Sequence, residues 1–339
     1  MLSRLIAAVA VTLGMLSPAR AQEVTLRLHE FLPLNSVVSA EIIDPWAGRI
    51  EAASGGRIKI EIFPSMQLGG KPADLVDQLV DGVVDIIWTL PGYTPGRFPR
   101  TEVFELPFLV ADAESASRAY WEIAQSDMIA TDFKDMQILG TWVHGPGVVH
   151  SSRPVLRLED MAGLKLRAPS RITAQLLEGL GAVALGMAVP AVPEALSRGV
   201  IDGALLPWEV TSSIRAAELV HNHTEFPGRA IYVATFILAM NKERYAGLPD
   251  DLRAIIDAES GADFSARAGR TLALADVPMR IDALAMGNAV TVLDVAEAAR
   301  WQAAAGPVVA GWNASMTAAG IDGADLLERA QAALVEQGG

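Results

Sequence analysis

Asp77-Gln-Leu-Val-Asp-Gly-Val-Val-Asp85 and Glu194-Ala-Leu-Ser-Arg-Gly-Val-Ile-Asp202 decide the fold class. In each, a helical stretch closes at a glycine, which takes the left-handed backbone conformation without steric cost. A short β-branched strand follows, with an aspartate at its start. Helix–glycine–strand junctions are common in α/β proteins, so the match alone does not prove a duplication. It does point to two lobes built on the same plan with a cleft between them.

Working outward, Val24–His29 alternates as a strand should, and residues 35–53 carry helical spacing through Val38, Ile42, Trp46 and Ile50. Gly55-Gly56 ends that helix, Ile58–Phe63 is the next strand, and a helix over 72–81 leads into a strand over 83–88. Strands alternating with helices in this way predict a largely parallel sheet covered on both faces. A second α/β series starts near residue 147, with a strand at 164–168 and helices at 171–180 and 193–197. Residues 249–286 read as nearly continuous helix interrupted mainly by Pro278, and 294–304 and 323–336 as further helices. A helix of about 35 residues would run roughly 50 Å, long enough to brace two lobes.

The N-terminus predicts export. Arg4 precedes an apolar run over 5–16, Ser17-Pro18 breaks it, and Ala19-Arg20-Ala21 suits a signal peptidase cutting after Ala21. The run falls short of the roughly 20 residues that span a bilayer, and no cysteine is present to take a lipid, so a free soluble periplasmic protein is expected. The net charge of −13 becomes more negative once Arg4 and Arg20 are removed, which argues against nucleic acid. It says little about a small anion, because one buried arginine can outweigh a diffuse surface field. With no cysteine in 339 residues, disulfides and thiolate chemistry are excluded, and the length suits two domains of about 100–200 residues each.

Catalytic signatures are missing: there is no Gly-x-Ser-x-Gly elbow, phosphate-binding loop or dinucleotide fingerprint. His221-Asn-His223 resembles half a metal site without a defined third ligand. Neither an enzyme, a metal nor a cofactor is expected.

Five segments in order resemble the substrate-binding subunits of tripartite ATP-independent periplasmic (TRAP) transporters, the DctP-like family. They are Gly56-Arg-Ile-Lys-Ile-Glu-Ile-Phe-Pro64 with Gln67-Leu-Gly69, Asp81-Gly-Val-Val-Asp85, and Glu105-Leu-Pro-Phe-Leu109. Leu158-Glu-Asp-Met-Ala-Gly-Leu-Lys-Leu-Arg-Ala-Pro169 and the stretch Val189 to Gly203 complete them. The resemblance implies a two-lobed, type II-like periplasmic-binding-protein fold with crossing strands and a long bracing helix. Lobe I would hold 22–146 plus about 235–275, and lobe II 147–234 plus about 276–308; helices of 309–339 would pack on both. It also implies a monomer that captures a small organic acid by cleft closure and delivers it to small and large membrane subunits.

In that family the arginine of the Gly-x-Lys-x-Arg segment grips a substrate carboxylate in a bidentate salt bridge, and Arg167 occupies this position. The residues allow the role: Arg167 ends an apolar strand just before a helix, where clefts of α/β sheets form, and its planar fork matches a carboxylate. Pairing of Arg167 with a neighbouring acidic side chain remains the alternative. Two departures matter. Leu205-Leu206 replaces the family's Glu-Asn, and the stretch from His144 to His150 lacks its second arginine. A depleted polar set suggests a monocarboxylate, possibly aromatic, branched or keto. Trp88, Tyr93 and Trp208 are candidate cleft aromatics, core packing being the open alternative for Trp88 and Trp208, with His29, Glu30, Phe31, His150, Pro169 and Glu209 as further candidates. Glu30 or Glu209 beside aromatic rings could instead seat the ammonium of a betaine or amino acid.

Overall fold

The repeated aspartates register each lobe's strands. In the computed structural model, which describes residues 22–338, the strands run as β1 (Val24–His29), β2 (Ile58–Phe63), β3 (Ile86–Thr89), β4 (Met136–Val143), β5 (Val148–Ser151), β6 (Lys165–Ala168), β7 (Val183–Gly186), β8 (Gly203–Leu206), β9 (Asn222–Glu225), β10 (Thr235–Asn241) and β11 (Ala289–Val292). The expected signal peptide lies outside the described residues. Asp85, just ahead of β3, accepts the Arg27 N–H at 2.8 Å and donates its own N–H to the Arg27 carbonyl at 3.0 Å. Asp202, just ahead of β8, does the same with Lys165 at 2.9 and 2.7 Å. The sequence echo is therefore a repeated device that pins a strand to its parallel neighbour.

The first sheet has the order β2-β1-β3-β10-β4 and the second β11-β9-β5-β8-β6-β7. In the first only β10 runs antiparallel to its neighbours, and in the second only β5. These are the strands that follow a crossing. The chain leaves the first sheet at Val143, crosses through 144–147 into β5, and returns from β9 through 226–234 into β10. The crossing segments touch: Gly147 donates its N–H to the Tyr232 carbonyl at 3.1 Å. A Cβ on Gly147 would stand 2.1 Å from the Tyr232 ring, and one on Gly145 would stand 2.0 Å from Asp276 Oδ2. Both positions demand glycine because of what approaches them.

The single helix expected over 249–286 is instead two, Asp250–Ala258 and Ala262–Ala285. Gly261 breaks it with a φ of +88° while its N–H donates to the Leu139 carbonyl at 2.8 Å, tying the break to β4. The longer piece spans about 36 Å at 1.5 Å per residue. It packs on the helix Ala113–Ile123 in the first lobe, carries Asp276 to the second, and feeds β11. The helix expected over 294–304 continues through Pro307 to Ala318 and packs on Arg171–Gly179, and Gly323–Glu336 returns to Ala113–Ile123. Among the described residues no helix is long and apolar enough to cross a membrane.

Candidate functional site

The carboxyl ends of β1, β3, β4, β6 and β8 converge where the two sheets meet, the position at which open α/β sheets bind ligands. They enclose a small cavity, with about 370 Å³ of space not filled by atoms when its opening to solvent is included. Phe31 and Leu32 follow β1, Trp88 and Leu90 close β3, and His144 follows β4. Arg167 and Pro169 come from the end of β6, and Leu206, Pro207, Glu209 and Val210 from the end of β8. The return crossing adds Tyr232 and Ala234, β10 adds Phe236, and Val38 and Val189 complete the wall. Tyr93 and Pro169 both line a larger outer groove of about 1,230 Å³ between the lobes.

Arg167 is 1% exposed. Its Nε donates to the Met187 carbonyl at 3.0 Å, Nη1 to the Leu205 carbonyl at 2.9 Å, and Nη2 reaches the Tyr93 hydroxyl at 3.5 Å. A guanidinium has five N–H groups, so one remains free on each Nη, enough for the two oxygens of a carboxylate. Arg100, Arg171 and Arg280 each carry an acidic partner, Asp132, Glu102 and Glu225. Among the described residues no acidic side chain lies in salt-bridge range of Arg167. A buried charge without a counter-charge is costly to a fold, and here it is met only by two backbone carbonyls and a tyrosine hydroxyl.

Trp88 is fully buried, yet its ring also faces the cavity. It packs on Phe31 with centroids 4.3 Å apart, and its Nε1 donates to the Glu30 carboxyl. Glu30 also accepts from Ser39 Oγ at 2.7 Å, and burial pushes it up to about 7. It holds Trp88 from behind and does not reach the cavity. The Tyr93 hydroxyl accepts the Val189 N–H at 3.0 Å, and Arg171 grips Glu102; both contacts join the lobes and describe a closed cleft.

Several expected residues sit elsewhere. Trp208 packs in a separate small cluster with Val148, Ala217 and Ala283, and its Nε1 donates to Glu225 at 2.8 Å. The echo explains the difference, since Trp88 stands three residues after Asp85 while Trp208 stands six after Asp202. Leu205, not Trp208, is therefore the counterpart of Trp88. His150 faces His223, Nδ1 to Nδ1 at 2.7 Å, with Trp208 packed against both rings. His29 is tied to Gln78 at 2.7 Å and to the Leu68 N–H at 3.3 Å. His221 bonds Asn288, and among the described residues no group of three or more metal-ligating side chains forms.

The wall also contains residues the sequence did not single out. His144 accepts the Ala234 N–H on Nε2 at 2.9 Å, so its Nδ1 carries the proton and donates to the Gly145 carbonyl at 2.5 Å. Burial lowers its pKa to about 4, making it a neutral panel. Tyr232 and Phe236 pack on His144 edge-on.

Buried titratable groups set a pH profile for stability. Burial raises Glu30, Glu105 and Asp276 each to about 7. Their stabilising contribution is present below the ordinary carboxyl range and is lost as pH rises through 7. Burial lowers His144 and His223 to about 4; their contribution is present above about 6.5 and is lost as pH falls toward 4. The two sets oppose one another up to about pH 6.5, and above it only the carboxyls titrate. The melting temperature of the ligand-free protein is expected to fall from pH 6.5 to 8, with a shallower fall in Glu105→Gln. A melting temperature that rises over that range contradicts the assignment.

A model of the family described as bacterial extracellular solute-binding protein, family 7 (DctP), matches residues 29–315. A TRAP solute-binding protein from Rhodoferax ferrireducens T118, in complex with copurified benzoate, is 47% identical with a TM-score of 0.91, over 93% of this chain and 98% of that one. A marine-metagenome TRAP solute-binding protein specific for aromatic acid ligands, in complex with metahydroxyphenylacetate, is 42% identical with a TM-score of 0.91, over 93% and 99%. A third, from Bordetella bronchiseptica with bound (R)- and (S)-mandelate, is 29% identical with a TM-score of 0.85, over 92% and 99%.

Proposed function

The chain belongs to bacterial extracellular solute-binding protein family 7, the DctP family, and from that premise we propose that its ligand is a small aromatic monocarboxylate. Arg167 binds the carboxylate through the free N–H on each Nη, and Phe31, Trp88 and Phe236 pack on the ring. The observation that carries this is the buried guanidinium, without an acidic partner among the described residues, in a cavity walled mostly by apolar side chains. A dicarboxylate would find no second lysine or arginine in the wall to meet its second charge. The ligands of the Rhodoferax and marine-metagenome relatives agree with a single aromatic ring.

A zwitterion gains no support. Glu30 is engaged behind Trp88, and the Glu209 carboxyl is held well above its usual range by burial and by Asp276, so neither offers a ready anion to an ammonium group. The role is capture and delivery: the protein works in the periplasm after loss of residues 1–21 and hands its ligand to the small and large membrane subunits of a TRAP transporter.

A thermal-shift panel tests the ligand class. Benzoate and phenylacetate are expected to raise the melting temperature, with about 2.7 kcal/mol of stabilisation at 100 times Kd, and to be recovered unchanged. Succinate and glycine betaine are expected to leave it unmoved. Stabilisation by these two and not by the aromatic acids would reject the proposal.

A further inference from the structure

Glu209 is the cavity residue that carboxylate capture leaves unused. It lines the wall at the end of β8, is 3% exposed, and its Oε2 has no hydrogen-bond partner. Its backbone N–H donates to Asp276 Oδ1 at 2.8 Å, which fixes the loop from the long helix and leaves the side chain free of that duty. The other buried carboxyls are differently placed. Glu30 is satisfied by Ser39 and Trp88; Glu105 accepts from Thr235 on Oε1, while its Oε2, like Asp276 Oδ2, has no partner; none of the three lines the cavity.

A second unpartnered atom lies nearby. The Tyr232 hydroxyl is buried, has no hydrogen-bond partner, and belongs to the same wall. Arg167, Glu105, Tyr93 and Glu209 all act electrostatically on it, and Asp276 acts on Glu209. Arg167, Tyr232 and Glu209 are thus polar groups of one cavity wall. Two unsatisfied polar atoms in a buried wall disfavour the empty closed state and reward an occupant that satisfies them.

We propose that Glu209, seconded by Tyr232, is a specificity-determining residue that hydrogen-bonds a hydroxyl carried by the bound acid, so that the preferred ligands are hydroxylated aromatic acids. This rests on the carboxylate role of Arg167. Burial pushes the Glu209 carboxyl well above its usual range, which favours the acid form, and a carboxylic acid both donates and accepts, as a hydroxyl partner requires. A site built to bond a hydroxyl discriminates against the analogue that lacks it.

Titration calorimetry on the mature protein with benzoate and with 2-, 3- and 4-hydroxybenzoate tests this. One hydroxybenzoate is expected to bind about tenfold or more tighter than benzoate. Glu209→Leu, an apolar substitution in a buried wall, is expected to bring that ratio to within about twofold. Glu209→Gln, which keeps a donor and an acceptor, retains a preference. A wild type that prefers no hydroxybenzoate, or a Leu variant with an unchanged ratio, overturns the proposal and leaves the carboxylate role intact. Wild-type protein that binds none of the four acids overturns both.

Discussion

Arg167→Met is expected to weaken benzoate binding by about a thousandfold while the unliganded protein stays folded. Removing one member of a buried, hydrogen-bonded charge pair costs about 2–5 kcal/mol or more, and each 1.4 kcal/mol is about tenfold in Kd. The variant buries the carboxylate in an apolar cavity with no cation to meet it, so the upper part of that range applies. Without ligand the balance differs. The guanidinium is unpaired and 1% exposed, so its removal relieves a desolvation cost, while the Met187 and Leu205 carbonyls lose their donors. These effects oppose one another, and the melting temperature of the ligand-free protein should change little. Arg167→Lys keeps a charge but cannot meet two carbonyls and a carboxylate with a planar fork, and it too should lose most of the affinity. Calorimetry and melting curves decide the matter together. A Met variant that still binds benzoate at the wild-type level removes Arg167 from the site, and one that merely unfolds reassigns it to the hinge.

The parts of this site that were legible in the sequence are those set by local pattern. Phe31, Trp88, Arg167 and Glu209 each follow or end a strand whose alternation or flanking glycine can be read directly, and a strand's carboxyl end is where α/β clefts form. The repeated aspartate pinned β3 and β8, and Leu206 at the end of β8 lines the wall. Illegible parts depend on partners far along the chain. His150 reads as a cleft residue until His223, 73 positions away, is brought against it by the antiparallel pairing of β5 with β9. Tyr232, Ala234 and Phe236 enter the wall only because the return crossing inserts β10 between β3 and β4. The break at Gly261 has a local signal, but glycine is tolerated inside helices, and the Leu139 carbonyl that holds it open lies on a distant strand.

Trp88 was ambiguous between core and cleft, and the structure gives it both positions, which makes Trp88→Ala the most informative change to the walls. As a core residue it sits between Phe31 and Phe236 with ring centroids at 4.3 and 5.9 Å and supplies a donor to Glu30. Truncating a buried tryptophan costs about 3–5 kcal/mol, and a carboxyl left without its donor adds to that. In a chain of this size the loss corresponds to a fall in melting temperature on the order of 10 °C. As a wall residue it limits the length of ring the cavity admits. The Ala variant is therefore expected to lose affinity for benzoate, which no longer fills the space, and to gain affinity for 2-naphthoate relative to benzoate. Trp88→Phe keeps an aromatic wall but deletes the donor to Glu30 and part of the ring's volume, so stability falls by less and the shift toward 2-naphthoate is smaller than in the Ala variant. Urea unfolding and competition binding on both variants measure the two effects independently. An Ala variant that is destabilised as expected yet ranks naphthoate and benzoate as the wild type does places Trp88 wholly in the core, and control of ring size then passes to Phe31 and Phe236, the other aromatic panels of the same wall.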